Sequence, residues 1–173
     1  MKTIKLIQII IFLSITLCSC DSCEKEYLTE LPPETQTGAN TFGCYVNGEL
    51  FVAQREYGQL GRPYLSAGYS RLTTILGIGA DGKNGHVGFS VFYPTENANI
   101  TMSTAGCHTK DLWYGREPIG EVYLTKFDTI NKIVSGKFSC KIKLYNSQNY
   151  DGSDTILDIT QGRFDLKLEM LND

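Results

Sequence analysis

The chain has 173 residues, of which 42% are hydrophobic and 20% are charged, and its formal net charge at pH 7 is −3. This composition is typical of a globular domain, and a mild acidic excess without a basic cluster argues against a nucleic-acid-binding protein. It argues equally against a domain that binds an anionic membrane by charge alone.

The N-terminus carries the features of a bacterial lipoprotein signal. Lys2 and Lys5 begin it, and an almost wholly apolar run occupies residues 6–17. That run is shorter than the about 20 residues that a membrane-spanning helix needs, and it has the length of a secretory signal. It ends in LCSC, residues 17–20, which resembles a lipobox because a small residue precedes the last cysteine.

Cys20 is assigned as the acylated first residue of the mature chain, because Ser19 before it is small whereas Leu17 before Cys18 is not. The alternative is a cleaved signal with incidental cysteines. Two or more acyl chains, such as palmitate, give stable anchoring. The sequence therefore predicts a lipid-anchored protein of the outer membrane, on its cell-surface or its periplasmic face.

Residues 21–40 are polar, acidic and proline-bearing, without any apolar period. This composition is typical of an extended, flexible linker. The chain is therefore divided into a lipoprotein signal peptide at 1–19, an acylated flexible tether at 20–40 and one antiparallel β domain at 41–173.

From residue 41 onward, apolar and polar residues alternate in short segments separated by turn residues, which is the pattern of an all-β domain. Asn-Gly is the strongest short hairpin signal, because both of its residues take positive φ. Three hairpins are predicted: 41–46 with 49–54 across Asn47-Gly48, 72–80 with 86–93 across 81–85, and 121–127 with 133–145 across 128–132. The closing strand alternates Phe164, Leu166, Leu168 and Met170 with Asp165, Lys167 and Glu169.

An alternation of period two places one face of a strand on a core and the other in water. We predict eight to ten antiparallel strands in one β-sandwich domain. A closed, lipocalin-like β-barrel is the alternative, since it produces the same alternation. Arg163 and Asp165 are two residues apart and share the predicted outward face of the last strand, where a cross-strand ion pair is expected.

Three segments resemble a family of small Bacteroidetes lipoproteins of unknown function. Residues 30–48, ELPPETQTGANTFGCYVNG, look like the start of that family, and IVSGKF at 133–138 and ITQGRFD at 159–165 are similar to its later motifs. The resemblance implies an envelope lipoprotein with an all-β domain. It carries over no catalytic residue.

The cysteines raise the question of a disulfide. Cys44 and Cys140 both fall on the predicted core face, and the compartment beyond the inner membrane permits disulfides. A Cys44–Cys140 bridge is one hypothesis, and two buried free thiols are the alternative. Cys107 lies in a segment without a regular pattern, and Cys23 lies in the tether. These four cysteines lack a C-x-x-C pair, so we predict no metal site and no cofactor.

His86 and His108 are the only histidines. A Ser-His-Asp or Cys-His site needs one positioned imidazole, and the sequence has no G-x-S-x-G nucleophile motif, so we predict that the protein is not an enzyme.

The candidate binding residues are Trp113, Tyr114 and Arg116. Exposed aromatic rings with polar neighbours often hold sugars or peptides, and the alternative is that Trp113 caps the core.

The sequence therefore predicts a non-catalytic envelope module, of binding or structural role, for a glycan, a peptide or a protein partner. A small apolar ligand held inside a β-barrel is the second hypothesis. An enzyme is the third.

Overall fold

The computed structural model describes residues 29–55, 63–108, 113–115, 118–143 and 156–171, and these residues contain no α-helix. They form eleven β-strands: β1 Thr41–Val46, β2 Glu49–Val52, β3 Leu65–Ser70, β4 Ile75–Gly82, β5 Gly85–Phe92, β6 Asn99–His108, β7 Trp113–Gly115, β8 Ile119–Asp128, β9 Ile133–Lys143, β10 Ile156–Lys167 and β11 Glu169–Met170. The predicted all-β class is confirmed.

The strands lie side by side in one sheet. Its order is β11-β3-β4-β5-β6-β8-β9-β10-β1-β2, and β7 pairs with β6. All of these pairings are antiparallel except that of β11 with β3. The first residues of β6 pair with β8 and the later ones with β5, so the sheet turns at this strand. The result is a half-barrel, which is a single curled sheet. It differs from the predicted sandwich in having one sheet, and from the alternative barrel in not being closed.

The three predicted hairpins are present as β1–β2, β4–β5 and β8–β9. In the first, Asn47 and Gly48 have φ values of 50° and 82°, as an Asn-Gly hairpin turn requires. The turn is also fixed to the neighbouring strand, because the Asn47 amide donates to the Asp158 carbonyl oxygen at 2.8 Å. Local turn chemistry therefore sets this register.

The concave side of the sheet holds one hydrophobic core. Phe138 lies near its middle, with ring centroids 5.1 Å from Phe42, 4.8 Å from Phe89 and 6.2 Å from Phe164. Aromatic pairs at such separations attract one another beyond the effect of burial. The alternation predicted along β9 is also present, with Phe138, Cys140 and Ile142 buried and Lys137, Ser139 and Lys141 exposed.

Because successive strands are antiparallel, their connections alternate between two ends of the half-barrel. The connections at 71–74, 93–98 and 129–132 lie at one end, which we call the turn end. The connections at 47–48 and 83–84 lie at the opposite end. We call this the loop end.

The segment predicted as the last part of the tether lies against the domain. The side chain of Arg163 donates to the Pro32 carbonyl oxygen at 3.4 Å, and Lys137 pairs with Glu34 at 2.7 Å. Asp165, expected on a solvent face, is only 1% exposed because this segment covers it. The structured unit therefore begins before Thr41, and Arg163 faces Glu34 in place of the expected partner on a neighbouring strand.

Cys107 does not lie in an irregular segment, as the sequence suggested, but in β6, where it is buried. Cys44 and Cys140 lie on the core face as predicted, and all three are free thiols, so the hypothesised Cys44–Cys140 disulfide is not present in this structure. Cys23 lies outside the described residues.

Candidate functional site

A row of glycines crosses the outward face of the sheet from β4 to β7. Gly79 is the register partner of Gly88, Gly88 of Gly106, and Gly106 of Gly115. Ser66 on β3 continues the row as the partner of Gly79. A strand glycine is destabilising by about 0.5–1 kcal/mol relative to alanine, and it often marks a place where a ligand approaches the backbone closely.

A second, shorter row lies beside the first. Gly68 on β3 pairs with Gly77 on β4, and Ser90 and Thr104 continue the row on β5 and β6. A Cβ atom added at Gly77 would have no atom within 4 Å, so this part of the face is open. We call the surface formed by both rows the glycine face; its glycines are Gly68, Gly77, Gly79, Gly88, Gly106 and Gly115.

A shallow groove of ≈ 550 Å³ lies along the β3–β5 part of the glycine face. Its floor includes Gly68, Gly77 and Gly79, and His86 and Leu171 are among its walls. The floor is open backbone at Gly77, whereas the side chains of His86 and Leu171 lie against Gly79 and Gly68.

His86 lies over the glycines and is fixed there by Asp81. Its Nδ1 atom is 2.8 Å from Oδ1 of Asp81. A Cβ atom added at Gly88 would lie 2.9 Å from Nε2 of His86, and one added at Gly79 would lie 3.0 Å from Cε1. A carboxylate only accepts hydrogen bonds, so Nδ1 of His86 carries the proton in this contact.

Hydroxyl groups lie along the other part of the face. The Ser90 hydroxyl is 2.9 Å from that of Ser103 and 2.6 Å from that of Thr104. Ser66 donates weakly, at 3.5 Å, to the Gly79 carbonyl oxygen. The face therefore combines a bare backbone floor with hydroxyl, imidazole and carboxylate groups, which can hydrogen-bond a polar ligand.

The predicted binding residues lie at the margin of this face. The backbone of Trp113 pairs with that of His108, and the backbone of Tyr114 pairs with that of Cys107, both at the end of β6. Gly115, the last glycine of the first row, follows directly in the same strand. Arg116 and Cys20 lie outside the described residues, so their predicted roles remain predictions.

The glycine face itself was missed by the sequence analysis. Its signal was the recurrence of glycine at every second position, as in Gly77 and Gly79 within ILGIGADG. Alternation shows that such glycines share one face of a strand. It does not show that the glycines of four strands are in register.

A second cleft, of ≈ 350 Å³, lies on the outward face of β8 to β10. Its walls include Glu34, Lys137 and Arg163. The hydrogen bond from Lys137 lowers the pKa of Glu34, and the charge of Arg163 adds to the effect. Lys137 and Arg163 on the sheet both face Glu34 of the N-terminal segment, residues 29–40. This cleft is therefore better explained as the contact that holds that segment against the sheet.

The three cysteines that the structure describes do not form a reactive site. Burial raises the pKa of Cys107 to about 11 and that of Cys140 to about 12, and the pKa of Cys44 is raised for the same reason. A thiol must ionise to act as a nucleophile, so these three are unreactive at neutral pH. Within the described ranges, no group of three His, Cys, Asp or Glu side chains could hold a metal ion.

The described part of the chain contains no helix that could cross a membrane. Comparison of the whole chain with protein-family models, with curated proteins and with solved structures gives no match in any of the three. The resemblance to small Bacteroidetes lipoproteins therefore stays a prediction.

Proposed function

We propose that this chain is a lipid-anchored, non-catalytic binding module of the bacterial outer membrane, and that it holds a carbohydrate on the glycine face. The observation that carries this proposal is the register of Gly79, Gly88, Gly106 and Gly115 across four adjacent strands. Beside this row, at Gly77, an added Cβ would meet no atom within 4 Å, so a flat ligand can lie directly on the backbone there.

A sugar ring suits this surface in two ways. The C–H face of a pyranose is flat and apolar, so it packs against bare backbone and against the imidazole of His86. Its hydroxyl groups lie at the ring edge, where Asp81, His86 and Ser90 supply acceptors and donors. Neighbouring strands are about 4.8 Å apart, so the five strands of the face span about 19 Å, enough for an oligosaccharide.

A peptide is less well supported. Extended peptides bind by adding a strand to a free sheet edge. The glycine face lies on the surface of strands that already have a neighbour on each side, as β4, β5 and β6 do. The apolar-ligand alternative is also less well supported, since packed side chains occupy the concave side of the half-barrel.

The experiment that tests the ligand class is a glycan array probed with the mature chain and with Gly77→Thr. A threonine at this position adds a side chain to the open part of the face, where its Cβ would meet no atom within 4 Å. We expect the wild type to bind a carbohydrate and Gly77→Thr to lose that binding while remaining folded. Lys141→Thr, which changes an exposed residue on β9, is the matched control and should bind as the wild type does.

The anchor is tested separately. Metabolic labelling with an alkyne fatty acid should mark the wild type and not Cys20→Ala. Protease treatment of intact cells then distinguishes the two faces of the outer membrane, because only a surface-exposed domain is cleaved without lysis. Absence of label on the wild type would contradict the anchor and leave the carbohydrate proposal standing.

A further inference from the structure

Three of the four most exposed large hydrophobic side chains of the described residues lie at the turn end. Leu72 is 81% exposed, Tyr93 is 74% exposed and Ile130 is 89% exposed. Each lies in or at the start of a different connection: Leu72 between β3 and β4, Tyr93 after β5, and Ile130 between β8 and β9. Exposed apolar groups that occur together, and not singly, mark interaction sites.

The three connections are neighbours in space. The Tyr93 amide donates to the Thr74 carbonyl oxygen at 2.9 Å, which joins the first two. Tyr69 and Phe127, just before the first and third connections, have ring centroids 5.1 Å apart. The exposed side chains therefore come from adjacent connections at the same end of the half-barrel.

The backbone of these turns is held in place. The carboxylate of Asp128 accepts hydrogen bonds from the amides of Ile130 at 3.0 Å and Asn131 at 2.8 Å. Thr74 and Tyr93 have φ values of 54° and 50°, which L-residues adopt only when the surroundings fix them. Ile130 and Tyr93 are thus presented outward by turns of defined shape.

The charge near this surface differs from that of the whole chain. The chain is acidic overall, with 19 acidic and 16 basic residues. In or beside the three connections, basic residues slightly outnumber acidic ones: Arg71, Lys126 and Lys132 against Glu96 and Asp128, of which Lys126 and Asp128 pair at 3.6 Å. Arg71 and Lys132 directly accompany the exposed Leu72 and Ile130.

We propose that the turn end docks on a phospholipid bilayer, with Leu72, Tyr93 and Ile130 inserted at the interface and with Arg71 and Lys132 near the lipid phosphates. Aliphatic residues, tyrosine and basic residues are the composition of surfaces that lie in this interface. Three exposed side chains from three different connections suit a deformable lipid layer better than a complementary protein pocket.

The length of the tether is compatible with this placement. Eight residues separate Cys20 from Thr29, the first described residue. At the maximal about 3.3–3.6 Å per residue they span at most about 30 Å. This is similar to the length of the strands, so a domain anchored at Cys20 can bring its turn end to the same bilayer.

The docking is a property of the domain and does not rest on the anchor or on carbohydrate binding. The test is therefore made with the mature chain, residues 20–173, carrying Cys20→Ala. The probe is a vesicle of phosphatidylethanolamine with a minor fraction of phosphatidylglycerol. We expect this chain to float with the vesicles, and the double variant Leu72→Ser/Ile130→Ser to lose about tenfold or more in partition coefficient.

The double variant Ile119→Ser/Ile156→Ser is the matched control, because it removes exposed isoleucines from the loop end. It should float as the parent chain does. Absence of flotation by the parent chain would overturn the proposal and would favour a protein partner for the turn end. Equal losses in both double variants would overturn it as well.

A fluorescence measurement gives the orientation independently. Ile130→Trp places a reporter at the turn end, and the native Trp113 serves as the internal reference near the loop end. With brominated lipids, we expect strong quenching of the added tryptophan and little quenching of Trp113 in the parent chain. Quenching of Trp113 in the parent as strong as that of the added tryptophan would overturn the proposed orientation.

Discussion

Asp165 on β10 accepts a hydrogen bond of 2.7 Å from the hydroxyl of Ser135 on β9, and both side chains are almost completely buried. The other donors to this carboxylate come from the N-terminal segment: the hydroxyls of Thr35 and Thr37 and the amides of Thr37, Gly38 and Ala39. One carboxylate therefore joins two strands to the segment that leads to the predicted anchor.

The first prediction concerns this junction. Asp165→Asn replaces one accepting oxygen by an NH2 group, so buried donors lose their partner. We expect the free energy of unfolding to fall by about 3 kcal/mol, because hydrogen bonds to charged groups contribute about 1.5–3 kcal/mol each. Urea unfolding measures the loss, and Asp158→Asn on the same strand is the control. A loss below about 0.5 kcal/mol, the size of an ordinary surface substitution, would contradict the role given to Asp165.

The second prediction is the pH dependence of stability. Burial by itself would raise the pKa of Asp165, but the hydrogen bonds from Thr35, Ser135 and the segment amides outweigh it and hold that pKa well below its usual range. A carboxyl with a lower pKa in the folded than in the unfolded chain stabilises the fold above the unfolded value of about 4, and this contribution is lost as pH falls.

The free energy of unfolding should therefore decrease as the pH is lowered from about 5, near the unfolded pKa, toward acid. Asp165→Asn should reduce this slope, and Ser135→Ala, which removes one donor and keeps the carboxyl, should reduce it partly. Denaturant titrations across this range measure it. Equal slopes in the three proteins would show that Asp165 is not responsible.

Much of the fold follows from local sequence rules, whereas the position of residues 35–39 over Asp165 does not. Alternation correctly assigns the inward residues of β9, and Asn47-Gly48 correctly marks the first hairpin. The same alternation assigns Asp165 to the outward face, but it cannot show that the chain's own N-terminal segment lies on that face. Contacts between residues about 130 positions apart, such as Thr35 with Asp165, leave no periodic signal.

Strand β6 shows a second limit. Its residues from Thr101 to Gly106 include alanine, glycine and small hydroxyl side chains, so its alternation is weak. The sheet turns at this strand, and the glycine face crosses it at Gly106. Because these side chains are small, the strand shows little hydrophobic alternation from which it could be predicted.

The third prediction concerns the thiols. Cys44, Cys107 and Cys140 should resist iodoacetamide in the native protein, because burial raises the pKa of each. All three should be alkylated after unfolding in guanidinium without a reductant. Site-resolved mass spectrometry checks both statements. Recovery of Cys44 and Cys140 as a disulfide-linked peptide pair would contradict the structure.

The fourth prediction compares two glycines. Gly77→Ala should stabilise the fold by about 0.5 kcal/mol, because its Cβ meets no atom and a strand glycine is entropically unfavourable. Gly162→Ala should destabilise it by about 1–3 kcal/mol, because its Cβ would lie 2.5 Å from the ring of Phe138. Chemical denaturation measures both, and changes of the same sign would contradict the packing described for the two faces of the sheet.

Amide chemical-shift mapping tests whether the glycine face binds carbohydrate. The labelled mature chain is titrated with the carbohydrate that the array identifies. We predict that the largest shifts occur at Gly68, Gly77, Gly79, Gly88 and Gly106, and that Gly77→Thr abolishes them. Absence of any carbohydrate-induced shift, or shifts confined to the outward face of β8 to β10, would contradict the account.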